Sequence, residues 1–218
     1  MSETNADDTT GKLVVGTFLT LDGVMQAPGG PDEDRDSGFE QGGWSVNYWD
    51  EQMGEAMDGQ FAEVDALLLG RKTYEIFAAH WPNVDSDDDP VATKLNSMPK
   101  YVASRTLDGV EWNNSSLFTG DVAEAVADLK RNRGDTILVQ GSQNLIQTLL
   151  AHNLIDEFWL WVFPVMVGDG KRLFEEGTIP GALELTAAET SSTGVQMLRY
   201  ERSGEIELGS FALDDVTE

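Results

Sequence analysis

Hydrophobic and polar positions along the chain predict strands that alternate with helices. Residues 12–20 form a β-branched, apolar run that predicts a first and central strand. Residues 64–69 are apolar without alternation, as expected for a strand that is covered on both faces. From residue 46 to residue 61, apolar side chains recur every three to four positions, which predicts an amphipathic helix.

The rest of the chain continues this alternation and then changes character. It predicts helices over 71–79, 91–97, 121–133 and 142–152, strands over 100–103, 135–140 and 158–167, and a terminal hairpin of 183–189 and 195–202. Strand–helix alternation followed by a hairpin predicts an α/β fold. We expect a three-layer α/β/α arrangement around a mixed, mostly parallel central sheet, with a C-terminal antiparallel hairpin.

Length and composition favour one domain. The chain has 218 residues, 40% of them hydrophobic, which is enough to bury a full core. We place the domain at residues 11–203, after a disordered acidic tail (1–10) and before an acidic extension (204–218). No signal peptide or membrane span is predicted, so we expect a cytoplasmic protein. Cysteine is absent and the two histidines are isolated, so no metal site is expected.

The charge is strongly negative. With 14 basic residues against 39 acidic ones, the formal net charge is −25, which argues against nucleic acid as a partner. The acidic surface has two interpretations: a repulsive coat that keeps the protein soluble, or adaptation to a salt-rich cytosol. The scarcity of lysine favours the second interpretation.

Two apolar runs each lead into a glycine and the start of a predicted helix, at Gly70 and at Gly141. This geometry presents free backbone N–H groups to an anion, with the helix dipole behind them. The first place also carries Arg71, Lys72 and Thr73. Cations are mildly unfavourable at a helix N-terminus, so their presence there favours a functional role over a purely structural one. We therefore predict a site for a phosphate-bearing cofactor.

Both places also have simpler interpretations. Arg71 and Lys72 could be a solvated first turn, and Ser142 after Gly141 could be an ordinary helix N-cap. A further segment, residues 27–43, is rich in Gly, Pro and acidic residues, and we interpret it as a long functional loop.

Five motifs, in this order, resemble the dihydrofolate-reductase-like fold and, within it, the reductase domain of riboflavin biosynthesis (the RibD C-terminal domain group). They are Thr20-Leu21-Asp22-Gly23, the run from Leu69 to Glu75, Ser104-Arg105-Thr106, Val139-Gln140-Gly141-Ser142, and the segment from Leu154-Ile155-Asp156-Glu157 to Gly168-Asp169-Gly170-Lys171. The resemblance covers residues 12–202 and implies hydride transfer from NADPH.

The same resemblance implies which residues hold NADPH. They are Gly70, Arg71, Lys72 and Thr73 at the pyrophosphate, Ser104 and Arg105 at the adenosine 2′-phosphate, Gly141 and Ser142 beneath the nicotinamide and pyrophosphate, Gln143, Asn144 and Leu145 along the same wall, and Thr17 and Phe18 at the nicotinamide edge.

Candidate catalytic acids lie after the first strand and on the following helix. Asp22 is the first choice, because the resemblance places the Leu-Asp-Gly aspartate near the substrate; Asp50 and Glu51 are weaker candidates. Each also has a structural interpretation: Asp22 could shape a turn with Gly23, and the other two could be first-turn acids favoured by the helix dipole.

Candidate substrate-binding residues are two tryptophans and two cations. Trp44 and Trp49 could stack on a flat heterocycle, although packing is the commoner role. Lys171 and Arg172 could receive a substrate phosphate, or could solubilise a turn.

The expected function is therefore an NADPH-dependent reductase of a small heterocycle, resembling 5-amino-6-(5-phosphoribosylamino)uracil reductase. The alternatives are a dihydrofolate or pterin reductase and a non-catalytic nucleotide-binding module. We expect a small-molecule substrate and, because members of the group often pair through sheet edges or the hairpin, a homodimer.

Overall fold

A computed structural model describes residues 10–84, 89–132 and 134–211 of the chain. The predicted tail therefore lies outside the described residues except for Thr10, as do residues 212–218 of the predicted extension. The strands are β1 Lys12–Thr20, β2 Ala66–Gly70, β3 Lys100–Ala103, β4 Ser115–Phe118, β5 Thr136–Gln140, β6 Glu157–Phe163, β7 Ala182–Thr190 and β8 Gln196–Gly204. The helices are α1 Glu51–Ala62, α2 Arg71–His80, α3 Pro90–Ser97, α4 Val122–Asn132 and α5 Gln143–Ala151.

The strands form one eight-stranded sheet in the order β4-β3-β2-β5-β1-β6-β8-β7. The first six strands in this order are parallel to their neighbours, so their carboxyl ends meet along one edge. Strand β8 runs antiparallel to β6 and to β7, which completes the predicted hairpin. The predicted fold class and the central position of β1 are confirmed.

Helices cover both faces of the sheet because the strands are apolar on both sides. On β1, Leu13 and Val15 belong to one buried cluster, which includes Ile146 of α5. Val14 belongs to a second cluster, which includes Phe61 of α1. Successive side chains of a strand point to opposite faces, so this division gives the three layers.

Two predicted elements are shorter in the structure. The helix expected over 46–61 begins only at Glu51, because Trp49 has extended backbone angles and the preceding residues, Val46–Tyr48, form a separate 3-10 turn. The strand expected over 158–167 ends at Phe163, directly before Pro164, whose nitrogen has no hydrogen to donate to a neighbouring strand. Apolar character alone does not mark these ends.

Strand β4 has no counterpart among the predicted elements. It pairs with β3 at the edge of the sheet and carries two serines in four residues. A short edge strand with one polar half buries little apolar surface, so its sequence signal is weak.

Lys100, at the start of β3, is fully buried. Its ammonium group donates hydrogen bonds to the carbonyl oxygens of Leu95 (2.7 Å) and Met98 (2.8 Å), and lies 4.3 Å from the centroid of the Trp112 ring. Burial lowers the pKa of this lysine from 10.5 to about 8. The lysine therefore links the end of α3 to the sheet while shielded from solvent.

Candidate functional site

A cleft of about 1540 Å³ opens at the carboxyl ends of the parallel strands. All of the residues predicted to bind a cofactor line this cleft. They are Thr17, Phe18, Gly70, Arg71, Lys72, Thr73, Ser104, Arg105, Gly141, Ser142, Gln143, Asn144 and Leu145. The structure thus brings them together on one surface; their role in binding a cofactor stays a prediction.

A chain of hydroxyl groups joins the two predicted glycine turns. The backbone N–H of Gly70 donates to the Ser142 hydroxyl (2.8 Å), and that hydroxyl donates to Oγ1 of Thr73 (2.8 Å). Because each hydroxyl has one proton, the Thr73 proton is left for a further acceptor. Thr73 therefore presents a hydrogen-bond donor at the cleft.

Ser142 precedes α5 but does not cap it with its side chain. Its backbone is left-handed (φ 66°, ψ 55°), and its hydroxyl makes no hydrogen bond to the helix. Ser142 therefore occupies the N-cap position, but the interpretation of its hydroxyl as the cap is wrong, because that hydroxyl accepts from the backbone N–H of Gly70 on β2 instead. Gly141 is also left-handed (φ 58°), and a side chain on it would press against Thr73 Oγ1 at 3.3 Å. The turn keeps backbone, rather than side chains, at the cleft surface.

Two arginines of the cleft lining have no partner within the described residues. Gly70 and Ala103 are partners in the register of β2 and β3, so Arg71 and Arg105 follow adjacent strand ends. Neither guanidinium group makes an ion pair or a side-chain hydrogen bond to any residue in the described ranges. Apart from Lys94, the other described cations contact a carboxylate or a carbonyl oxygen. We call the region around Arg71 and Arg105 the polar end.

Ser104 stabilises the turn that carries Arg105. Its hydroxyl oxygen accepts hydrogen bonds from the backbone N–H groups of Thr106 (3.1 Å) and Leu107 (3.0 Å). Its own proton stays available to an acceptor in the cleft. The polar end thus combines two guanidinium groups with hydroxyl donors, the chemistry that binds phosphate.

The two lysines of the cleft, unlike the two arginines, form ion pairs. Lys72 and Lys171 both form ion pairs with Asp34 and Asp36 of the 27–43 loop. The Lys171–Asp36 distance is 2.8 Å, and the two lysines, Lys171 first, lower the pKa of Asp36 to about 2. We call these four residues the lysine–aspartate cluster. It joins the loop to α2 and to the segment after β6, and it neutralises both ammonium groups.

A third region of the cleft is apolar. Its lining includes Phe18, Trp49, Met57, Phe61, Phe77 and Trp81, which we call the apolar compartment. Phe18 and Trp49 lie 6.3 Å apart between ring centroids, and Trp49 stacks on buried Trp161 at 5.9 Å. Trp49 is 47% exposed, so part of its ring system is free to contact a ligand.

The predicted acid Asp22 lies outside the cleft lining. Its carboxylate accepts hydrogen bonds from the Thr20 hydroxyl (2.6 Å) and from the backbone N–H of Gly168 (2.8 Å), and these bonds, the one from Thr20 first, lower its pKa. Both oxygens therefore stabilise the turn between β1 and the segment after β6. The geometry favours the turn-shaping interpretation.

Asp50 and Glu51 also lie outside the cleft lining. Asp50 caps α1 by accepting from the N–H of Met53 (2.9 Å), and it accepts from the N–H and hydroxyl of Ser192 in the β7–β8 hairpin (2.9 and 2.6 Å). The hydrogen bond from the Ser192 hydroxyl is the main cause of its lowered pKa. Glu51 is exposed at the first turn of α1.

The predicted substrate-binding residues divide evenly. Trp49 and Lys171 line the cleft, whereas Trp44 and Arg172 do not. Trp44 is buried against Phe163, and its indole N–H donates to the carbonyl of Gln26 at 2.8 Å. Arg172 donates to the carbonyl oxygens of Asp22 (3.1 Å) and Gly168 (2.6 Å). Both therefore have structural roles in this geometry.

Five acids that line the cleft are absent from the sequence-based candidates: Glu33, Asp34, Asp58, Asp89 and Asp121. Asp34 belongs to the lysine–aspartate cluster, and Asp89 and Asp121 accept from backbone N–H groups at the starts of α3 and α4. Glu33 lies in the loop wall, where its carboxylate accepts from the N–H of Gly29 at 2.6 Å, and burial raises its pKa. Asp58 lies on the face of α1 that also carries Gly54, Met57 and Phe61. Helical spacing from Phe61 could have identified Asp58; nothing in the loop sequence distinguishes Glu33 from its acidic neighbours.

Searches for two other kinds of feature covered the described ranges only. There, no group of three or more His, Cys, Asp or Glu side chains is arranged to hold a metal ion. In the same ranges, no helix has the length and apolar character needed to cross a membrane.

Comparison with known proteins gives a family match over most of the chain. The model of the RibD C-terminal domain matches residues 11–197. The Bacillus subtilis (strain 168) protein named "Uncharacterized protein YyaP" is 31% identical over 196 residues, which cover 88% of this chain and 96% of that protein.

Solved structures share the fold. A putative riboflavin biosynthesis protein from Shewanella sp. PV-4 has a TM-score of 0.61 at 23% identity, covering 88% of this chain and 99% of its own. Dihydrofolate reductase from Enterococcus faecalis, solved with NADP(H), has a TM-score of 0.56 at 12% identity, covering 89% of this chain and 98% of its own. At these identities the likeness concerns the fold.

Proposed function

The chain belongs to the RibD C-terminal domain family, and from that premise we propose that it is a reductase that transfers hydride from NADPH to a small heterocyclic molecule. The observation that carries the proposal is the polar end of the cleft. In a chain of net charge −25, two guanidinium groups on adjacent strand ends have no partner within the described ranges. In so acidic a protein, cations that are left without a carboxylate partner form a local positive patch to which an anionic ligand can bind.

The residues at the polar end fit a phosphate-bearing dinucleotide. Arg71 and Arg105 offer planar donor forks, which suit phosphate oxygens. Gly141 leaves open the surface that a Cβ would fill. Thr73 and Ser104 each keep a hydroxyl proton for an acceptor. When bound, NADPH supplies the hydride; the chain's own residues bind and orient it.

Reduction of a heterocycle also requires a proton, and Glu33 supports that role. It lies in the cleft wall, and its raised pKa favours the protonated form that a donor needs. Asp58 lies in the cleft as well, but it is exposed. We therefore assign the proton to Glu33 ahead of the acids named from the sequence.

Arg105→Ala tests the cofactor. If Arg105 binds the adenosine 2′-phosphate, the variant should lose about ten- to a hundredfold in NADPH affinity, the range of a charge-assisted contact. Its NADH affinity should be unchanged. Isothermal titration with both nucleotides measures the difference.

Lys94→Ala is the matched control, because Lys94 is another unpaired cation of the described ranges and lies outside the cleft lining. It should bind both nucleotides like the unmodified protein. Equal loss of NADPH and NADH in Arg105→Ala would contradict the assignment of the 2′-phosphate, and no binding of either nucleotide to the unmodified protein would refute the proposed function.

A further inference from the structure

The cations that line the cleft differ in the charge that they offer to a ligand. Arg71 and Arg105 have no partner within the described residues, as stated above. Lys72 and Lys171 are already neutralised by Asp34 and Asp36. An anion arriving at this cluster would have to displace a carboxylate that is held by two lysines.

Apart from these four residues, no Lys or Arg of the described ranges lines the cleft. Arg172 directs its guanidinium to the carbonyl oxygens of Asp22 and Gly168, and it lies outside the cleft lining. The acids Glu33 and Asp58 are also on the wall. The cluster and these two acids together therefore offer a ligand a charge that is negative or zero.

The apolar compartment of the same cleft suits flat rings. Phe18 and Trp49 form a tilted aromatic pair, and Met57 and Phe61 of α1 continue the wall. Aromatic and thioether side chains provide apolar contact area for a planar ligand, and this contact does not require the ligand to be charged. Polar specificity would come from Asp58, whose carboxylate can accept from a ring N–H or amino group, and from Glu33, which can donate its proton.

Resting on the proposed function, we infer that the molecule reduced in the apolar compartment is a flat, uncharged or cationic heterocycle that carries no phosphate or carboxylate group. This separates the chain from a reductase of a phosphoribosylated pyrimidine, the substrate class that the sequence resemblance implies. The lysine–aspartate cluster is the specificity element: with Arg71 and Arg105 occupied by the cofactor, it withholds the two other Lys and Arg residues of the described cleft from an anionic substituent.

Two pairs of ligands, matched in their rings and different in charge, test the inference. They are riboflavin with riboflavin 5′-phosphate, and pterin with pterin-6-carboxylate. Titration calorimetry is performed in about 1 M KCl, where a Debye length of about 3 Å screens the general negative charge of the protein. The uncharged member of at least one pair should bind, and at least about tenfold more tightly than its anionic partner.

The double variant Asp34→Asn/Asp36→Asn releases both ammonium groups. It should bind the anionic members at least about tenfold more tightly than the unmodified protein does, because each freed lysine offers a charge-assisted hydrogen bond. The readout is the ratio of the anionic to the uncharged affinity within each pair, so that any general change in the cleft cancels. Asp32→Asn/Glu40→Gln is the matched control: it removes two charges from the same loop outside the cleft lining, and it should give no such gain.

Three results would overturn the inference. They are anionic ligands that bind the unmodified protein as tightly as uncharged ones, equal or absent gains in the two double variants, and failure of both uncharged ligands to bind. NADPH affinity is measured in separate titrations. Its absence refutes the proposed function alone, since the ligand pairs are compared without nucleotide.

Discussion

Ser142 shows what a single hydroxyl does for this site. It accepts from Gly70 and donates to Thr73, so one side chain orients the ends of two strands and the start of α2. The sequence predicts a residue at this place through its glycine-to-helix pattern. It could not predict the left-handed backbone or the partner 72 positions away, because both depend on how β2 and β5 pair.

Lys100 leads to a prediction about pH. Its pKa is about 8 in the folded protein and 10.5 ordinarily, so between these values the unfolded chain binds more protons. The free energy of unfolding therefore rises with pH in this window, by up to about 3 kcal/mol. Urea unfolding at about pH 7.5 and about pH 10 should show this gain for the unmodified protein relative to Lys100→Met.

Lys100→Met serves as the reference because it lacks the titrating group, while the other groups that titrate near pH 10 are common to both proteins. The absolute stability of the variant is not the readout, since the carbonyls of Leu95 and Met98 lose their donor there. A difference between the two proteins that stays constant across the window would contradict the prediction.

At the scale of elements, the periodicity of the sequence predicts which segments are strands and helices, but it does not predict the contacts that fix where each element begins and ends. The start of α1 is an example. Residues 46–61 have the spacing of one helix, yet α1 begins only after Asp50. The Asp50 carboxylate caps the helix by accepting from the N–H of Met53, and it also accepts from the N–H of Ser192. The second contact reaches a hairpin 142 positions away, and nothing near Asp50 in the sequence signals it.

Asp50→Ala separates the capping role from the catalytic role that the sequence allows. Loss of the cap and of the tie to the hairpin should lower the melting temperature by a few degrees, while NADPH oxidation stays unchanged. Asp50→Asn keeps one acceptor oxygen for the cap but loses the one that accepts from Ser192, so its melting temperature should fall less than that of Asp50→Ala, with NADPH oxidation unchanged. Glu51→Ala, next to it and exposed, controls for the loss of one negative charge.

Differential scanning calorimetry together with an optical assay of NADPH oxidation measures both properties. Loss of oxidation in Asp50→Asn, in a protein that still melts above Asp50→Ala, would instead show that the carboxylate acts on a substrate.

At the scale of the whole molecule, the sequence predicts the architecture and the position of the cleft because both follow from a parallel sheet whose strands end together. The candidate cofactor residues all lie on that edge. The charge state on the substrate side does not follow from the sequence, because nothing around Lys72 or Lys171 distinguishes a lysine that is free to bind phosphate from one that a carboxylate neutralises. Only the folded loop brings Asp34 and Asp36 onto them.

Net charge gives a prediction at this scale. A formal charge of −25 destabilises the compact state by self-repulsion, and salt screens that repulsion. The melting temperature should therefore rise steeply with KCl up to about 1 M, where the Debye length is about 3 Å. Sucrose of equal osmolality is the control, because it carries no charge. A melting temperature that KCl leaves unchanged would contradict adaptation to salt.

The partial solvent exposure of the Trp49 side chain has an optical consequence. Of the tryptophans in the described residues, it is the one that stands both in the cleft and well exposed, with buried Trp161 stacked behind it. A molecule seated on Trp49 would replace water at that indole and alter its emission. The protein thus carries an intrinsic fluorescent reporter of occupancy, in the compartment whose ligand is to be identified.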